Sequence, residues 1–93
     1  MRKVVLVNGA TAGIGQATAV KFAEQGYDLI LTGRRAERLD SLKAELEKKH
    51  GVDVKTLCFD VRKHNEVAQA LGSLDERWKK IDVLVNNAGL ALG

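Results

Sequence analysis

The chain has 93 residues, of which 45% are hydrophobic and 29% charged, with 15 basic and 12 acidic side chains and a net charge of +3. This composition is typical of one small globular domain, and it argues against a disordered or collagen-like chain. No stretch approaches the roughly 18 consecutive apolar residues of a membrane-spanning helix, so we expect no membrane partner.

Four apolar runs without polar alternation predict β-strands that are buried on both faces. They cover residues 3–7, 28–32, 54–59 and 82–85, and each is rich in Val, Ile or Leu at successive positions. Runs of this kind are typical of parallel sheets that helices cover on both sides.

Segments with helical spacing separate these runs. The predicted helices cover residues 14–25, 36–50 and 65–79, and Gly26 and Gly51 follow the first two. Their apolar positions are Ala19, Phe22, Ala23, Leu39, Leu42, Leu46, Val67, Ala70, Leu71, Leu74 and Trp78. The order βαβαβαβ with right-handed crossovers predicts an α/β fold, the first half of a Rossmann-type doubly wound parallel sheet.

The chain stops shortly after the fourth strand, at Gly93. A half-sheet would leave this strand with an open apolar edge, and a chain of this size buries only about 60–65% of its unfolded surface. We therefore expect residues 1–93 to be the N-terminal half of a domain in a longer protein.

A glycine-rich turn between the first strand and the first helix is the strongest chemical signal. Glycine permits a tight turn here and lets backbone N–H groups approach a pyrophosphate at a helix N-terminus. A tight turn without a ligand is the alternative. The candidate residues are Gly9, Ala10, Thr11, Ala12, Gly13, Ile14 and Gly15.

Arg34 and Arg35 follow the second strand, where a dinucleotide fold selects its cofactor. A carboxylate there would favour NAD, whereas two guanidinium groups suit the 2′-phosphate of NADP. Alternatively, both arginines are solvated charges ahead of a helix.

Two further candidates follow the third and fourth strands. Asp60 and Val61 could contact an adenine, or Asp60 could cap a turn. Asn87, Ala88 and Gly89 could let the backbone approach a ribose, or form a plain turn. All these signals lie at carboxyl ends of strands, the edge where such sheets bind ligands.

These motifs, in this order, resemble the N-terminal half of the short-chain dehydrogenase/reductase family, over the whole chain. The fuller pattern, TGRRAERL, DVR and NNAGLALG, is similar to its NADP-dependent 3-hydroxy acid, serine-type dehydrogenases. The resemblance implies that Gly9 to Gly15 hold the pyrophosphate and nearby ribose, Arg34 and Arg35 the 2′-phosphate, Asp60 and Val61 the adenine, and Asn87 the adenosine ribose. One position departs from the family, which usually has threonine where this chain has Asn8.

The resemblance also implies an oxidoreductase that transfers a hydride between NADP and a small hydroxyl-bearing substrate, and we expect the full-length protein to be a homo-oligomer. The family's catalytic serine and Tyr-x-x-x-Lys pair are missing, and the single tyrosine, Tyr27, opens the second strand at the opposite end. The alternative is a dinucleotide-binding sensor or scaffold without catalysis. A methyltransferase would instead require an acidic residue after the second strand.

Several other residues carry no function in this interpretation. The single cysteine, Cys58, is predicted to be a buried thiol; it cannot form an internal disulfide, which favours the cytoplasm. His50 and His64 have no partner at metal-binding spacing, so we expect no metal. Trp78 is predicted in the core, and the basic run 77–80 as a solvated patch without interleaved aromatics, so we expect no nucleic acid.

Overall fold

The computed structural model describes residues 2–11, 13–59 and 63–86, apart from the side chain of His64. Helices and strands alternate in these residues, and two helices precede the last strand. The elements are β1 (Val4–Asn8), α1 (Gly13–Glu24), β2 (Asp28–Gly33), α2 (Ala36–His50), β3 (Val54–Cys58), α3 (His64–Gly72), α4 (Glu76–Lys79) and β4 (Val83–Asn86).

The four strands form one parallel sheet in the order β3-β2-β1-β4. The chain adds β2 and β3 on one side of β1 and then crosses to add β4 on the other. This change of direction is the point where an open α/β sheet forms a ligand crevice beyond its carboxyl ends. The predicted half of a doubly wound sheet is thus confirmed.

The two central strands are buried on both faces, as their continuous apolar runs predict. The face that α1 and α2 cover presents Val5, Val7 and Leu31. The opposite face presents Leu6 and Ile30. The residues that the helices contribute to these two clusters include Ala19, Ala23, Leu39, Leu42, Leu46 and Trp78, and Leu74 joins them from the link between α3 and α4. The helices therefore fix the sheet from both sides, which leaves its carboxyl edge to form a site.

Strand β4 departs from the predicted burial on both faces. Val83 and Val85 are half-buried, whereas Leu84 exposes 68% of its surface. The reason is its place in the sheet, since β4 is the terminal strand on its side among the described residues. Among the described residues, no strand pairs with the outer side of β4.

Glycines end the first two helices as predicted. Gly26 and Gly51 have the left-handed φ values of 85° and 67°, and the N–H of Gly51 donates to the carbonyl of Glu47 over 3.1 Å. Glycine adopts this conformation without steric cost, so both helices stop where the following strand must begin.

The predicted third helix is wrong, because the chain forms two helices there. α3 ends at Gly72, and the Ser73 hydroxyl donates to the Ala70 carbonyl over 2.7 Å. Asp75 then has an extended backbone, with φ −67° and ψ 158°, before α4 begins. Glycine, serine and aspartate favour turns over helix interiors, and this local chemistry outweighs the apolar spacing. Leu71 is consequently 37% exposed, although the single-helix pattern predicts it on the apolar side.

The opposite, amino-terminal edge of the sheet holds an ion cluster around the buried carboxylate of Asp28. Arg77 donates to Asp28 over 2.8 Å and to Asp53 over 2.6 Å, and the Asp53 N–H donates to Asp28 over 2.8 Å. The guanidinium also lies 4.3 Å from the Trp78 ring centre. The prediction of a merely solvated basic patch is therefore wrong for Arg77, which joins α4 to the sheet.

Along the described part of the chain, the helices are too short or too polar to cross a lipid bilayer.

Candidate functional site

The carboxyl edge of the sheet brings most of the described candidate residues together. Because the strands are parallel and in register, Asn8 lies beside Thr32 on one side and beside Asn86 on the other. The candidate residues that the structure describes are Gly9, Ala10, Thr11, Gly13, Ile14, Gly15, Arg34 and Arg35. The candidates Ala12, Asp60, Val61, Asn87, Ala88 and Gly89 lie outside the described residues.

The three glycines of the turn between β1 and α1 have different surroundings. Gly9 has a φ of 77°, the left-handed region that favours glycine. A Cβ on Gly15 would lie 2.1 Å from the Gly9 carbonyl oxygen, so α1 starts in direct contact with the turn. A Cβ on Gly13 would meet none of the described atoms within 4 Å. Gly13 is therefore the position of the turn at which the backbone is open to a ligand.

The turn is fixed to the end of β2. The N–H groups of Gly9 and Ala10 both donate to the Thr32 carbonyl, over 3.1 and 2.9 Å. A Cβ on the next residue, Gly33, would lie 3.3 Å from the Thr11 side chain. The glycine turn thus rests on β2 directly before the chain reaches Arg34.

The arginine pair stands at the N-terminus of α2 with both side chains exposed. In residues 2–11, 13–59 and 63–86, neither guanidinium forms a salt bridge. Arg35 occupies the N-cap position, and its side chain makes no capping hydrogen bond. The first N–H groups of a helix lack helical partners and carry partial positive charge, so this end of α2 attracts anions.

Two depressions border this helix end. One, of about 430 Å³, follows the first turn of α2 from Arg35 to Arg38. The other, of about 410 Å³, extends from Thr11 in the glycine turn to Arg38 and Ser41 in α2. Both depressions are lined by Glu37 and Arg38, so Thr11 of the glycine turn and the helix end at Arg35 face adjoining space.

An acidic residue is absent from the carboxyl end of β2, in agreement with the sequence. The acid of this strand, Asp28, is its first residue and lies at the opposite edge. After this strand the chain therefore has Arg34 and Arg35, and not a carboxylate that could accept hydrogen bonds from the hydroxyl groups of a ribose.

Three polar side chains bridge the ends of the strands, a contact that sequence reasoning missed. The Thr32 hydroxyl donates to Asn8 Oδ1 over 2.5 Å, and Asn8 Nδ2 donates to Asn86 Oδ1 over 3.2 Å. The signal that could have found this contact is a polar residue at or directly after the end of each predicted strand: Thr32 ends the second, and Asn8 and Asn86 follow the first and the fourth.

Cys58 corrects another prediction, because its thiol is exposed rather than buried. It is the last residue of β3, the terminal strand on that side of the described sheet, so its side chain reaches solvent. The S–H donates to the Arg34 carbonyl over 3.5 Å.

Tyr27 lies away from this edge, as predicted. It precedes β2, and its ring packs edge-on against Phe22 with 4.9 Å between the ring centres. Groups of three or more His, Cys, Asp or Glu side chains that could hold a metal ion are not found in the described residues.

A parallel sheet with a glycine turn opening its first helix and arginines after its second strand defines a Rossmann-type α/β unit. The sequence model of the short chain dehydrogenase family matches residues 3–93, and the chain belongs to this family. The resemblance seen in the motifs is thus confirmed.

The most similar proteins include dehydrogenases that act on hydroxy acids. The chain is 52% identical over 90 residues to the NADP-dependent 3-hydroxy acid dehydrogenase YdfG of Salmonella typhi, covering 97% of this chain and 35% of that protein. Serine dehydrogenase from Escherichia coli superposes with a TM-score of 0.82 at 45% identity, over 90% of this chain and 37% of that one. L-sorbose reductase from Gluconobacter frateurii, complexed with NADPH and L-sorbose, superposes with a TM-score of 0.87 at 35% identity, over 95% of this chain and 34% of that one. The chain thus spans about a third of the length of these relatives.

Proposed function

We propose that the full-length protein is an NADP-dependent oxidoreductase that transfers a hydride between NADP and a small hydroxyl-bearing substrate such as a 3-hydroxy acid. Residues 1–93 bind the adenosine and pyrophosphate part of the cofactor. The observation that supports the proposal is the contact of the glycine turn with the end of β2, directly before two arginines that form no salt bridge within the described residues. The names of the Salmonella typhi and Escherichia coli relatives support the substrate class.

The described residues fit the anionic end of NADP. Arg34 and Arg35 hold the 2′-phosphate with the first turn of α2, because planar guanidinium groups and free helix N–H groups both donate to phosphate oxygens. The open backbone at Gly13 and the N-terminus of α1 hold the pyrophosphate. Bound NADP supplies the hydride acceptor, and these residues fix its position.

Six further assignments belong to the same proposal. Asp60 and Val61 contact the adenine and Asn87 the adenosine ribose, as the family resemblance implies. Residues 1–93 are a fragment of the full-length chain, which acts in the cytoplasm as a homo-oligomer and binds no nucleic acid. The single cysteine supports the location, because it allows no internal disulfide. Sedimentation of the full-length protein, with and without added DNA, tests the last two assignments.

The experiment is a turnover assay of the full-length protein with NADP⁺ and a panel of 3-hydroxy acids that includes L-serine. We expect NADPH to form with at least one of them, and NAD⁺ to be a much poorer acceptor. Cofactor binding without turnover would support the sensor or scaffold alternative instead. Absence of binding to either cofactor would refute the proposed function.

A further inference from the structure

The hydrogen-bonded chain from Thr32 through Asn8 to Asn86 links the ends of three neighbouring strands. Its first bond, from the Thr32 hydroxyl to Asn8 Oδ1, joins β2 to β1 over 2.5 Å. Its second, from Asn8 Nδ2 to Asn86 Oδ1, joins β1 to β4 over 3.2 Å. The carboxamide of Asn8 accepts from one neighbour and donates to the other, so its orientation is fixed from both sides.

Burial makes the first of these bonds the more important one. Thr32 is 1% exposed, and a buried hydroxyl that loses its partner is costly. Asn8 is half-buried and Asn86 is exposed, so the chain of bonds runs from the core to the surface. Asn8 is therefore the partner on which the buried hydroxyl depends.

The backbone of Thr32 connects this bond to both phosphate-binding parts of the proposed site. Its carbonyl accepts the N–H groups of Gly9 and Ala10, which begin the glycine turn. Arg34 follows two residues after Thr32, and Gly9 directly follows Asn8. A bond between Asn8 and Thr32 thus joins the residue before the turn to the segment that leads to the arginines.

Asparagine can make both contacts because its carboxamide carries donor and acceptor on separate atoms. Threonine, the usual residue of the family at this position, has a side chain one bond shorter and a single hydroxyl with one hydrogen to donate. A threonine hydroxyl can also accept one hydrogen bond and donate another, so what distinguishes Asn8 is the longer reach of its carboxamide to the neighbours on both sides.

We infer that Asn8 is a positioning residue whose carboxamide fixes the distance between the glycine turn and the arginine pair. One NADP molecule can then contact both parts at once. This inference rests on the proposed binding of NADP. Loss of the bridge lowers the affinity for ligands that contact both the glycine turn and the arginine pair. It leaves unchanged the affinity for ligands that contact the arginines alone.

The test compares two ligands on the full-length protein, NADPH and 2′-AMP, by equilibrium titration well below the unfolding temperature. NADPH needs the turn and the arginines, whereas 2′-AMP carries the 2′-phosphate without a pyrophosphate. Thr32→Val removes the hydroxyl at constant shape, and Asn8→Leu removes the carboxamide at a half-buried position, as a second variant if Thr32→Val does not fold. We expect NADPH affinity to fall about fivefold or more and 2′-AMP affinity to change less than twofold.

Two control variants separate positioning from general destabilisation. Thr32→Ser keeps the hydroxyl and should restore the parental ratio of the two affinities. Thr56→Val makes the same substitution in β3, at a half-buried position outside the bridge, and should change neither affinity.

The outcomes also separate this inference from the proposed function. If the variants lose affinity for NADPH and 2′-AMP equally, or lose affinity for neither, Asn8 has no positioning role. The proposed function still stands in that case, provided that the parental protein binds NADPH. A parental protein that does not bind NADPH refutes the proposed function and, with it, the positioning role.

Discussion

Gly13 and Gly15 lie two residues apart in the same turn, yet the structure gives them opposite constraints. A side chain at Gly13 enters open space, where the proposed pyrophosphate lies, whereas one at Gly15 enters the backbone of Gly9. A substitution at Gly13 should therefore weaken ligand binding, whereas one at Gly15 should destabilise the fold.

Gly13→Val in the full-length protein should abolish NADPH binding and leave a cooperative unfolding transition. The branched side chain fits the described structure but covers the backbone that the phosphates approach. Titration with NADPH and thermal unfolding of the same sample provide the two measurements. Parental affinity in this variant would place the phosphate site elsewhere.

Gly15→Ala should lower the free energy of unfolding by about 3 kcal/mol, because overpacking against backbone allows little relaxation. The closest approach, 2.1 Å to the Gly9 carbonyl oxygen, is far inside van der Waals contact. Urea unfolding measures the loss. A parental midpoint would contradict the proposed packing of α1 on the turn.

The Arg34→Ala, Arg35→Ala double variant should weaken NADPH about a hundredfold and NADH only slightly. Charge-assisted hydrogen bonds are worth about 1.5–3 kcal/mol each, and two at the lower end give that factor. The Lys79→Ala, Lys80→Ala double variant is the matched control, since it removes the same charge from the opposite edge. Equal losses for NADPH and NADH would remove the 2′-phosphate assignment.

Among the elements, α4 shows how a short helix becomes part of the fold through charge and ring contacts. It has four residues, too few for a stable helix in isolation. Trp78 lies in the core, and Arg77 reaches the carboxylate that begins β2. Tertiary contacts therefore hold this helix in place.

Asp28→Ala should lower the free energy of unfolding by about 2 kcal/mol, because it removes the acceptor of Arg77 and of the Asp53 N–H. Urea unfolding of the full-length protein measures this change. Lys49→Ala breaks an exposed ion pair with Glu45 and, as the control, should cost less than about 0.5 kcal/mol. Similar small losses in both variants would show that the cluster contributes little to stability.

On the scale of the whole molecule, the edge at β4 dominates the expected behaviour of the 93-residue chain. Leu84 is exposed on a strand that is terminal in the described sheet, a feature that promotes association between strand edges. The family's serine and Tyr-x-x-x-Lys pair are also absent from the sequence.

The 93-residue chain, expressed as it stands, should bind NADPH weakly, show no reductase activity and self-associate. An NADPH-oxidation assay with small carbonyl compounds and light scattering test these outcomes. Leu84→Lys should reduce scattering, whereas Leu71→Lys, at an exposed apolar position of α3, should not. Turnover above background would show that the 93-residue chain has catalytic residues of its own. A monodisperse parental chain would show that the β4 edge does not promote association.

Local sequence patterns were sufficient to predict the order of strands and helices up to β3, the bounds of α2, and the location of the glycine turn and the arginine pair. These features depend on local chemistry: continuous apolar runs, glycine after a helix, and residue types at strand ends. Ala36–His50, for example, is the helix that its leucine spacing predicts.

Which of these residues meet, and which reach solvent, depends on the packing of the sheet. The exposure of Cys58 and Leu84 follows from the terminal places of their strands in the described sheet. The bonds of Asn8 to Thr32 and Asn86 depend on the register of three parallel strands, which brings together residues that are 24 and 78 positions apart. Local patterns carry no information on contacts at such separations, because only the packing of the sheet creates them.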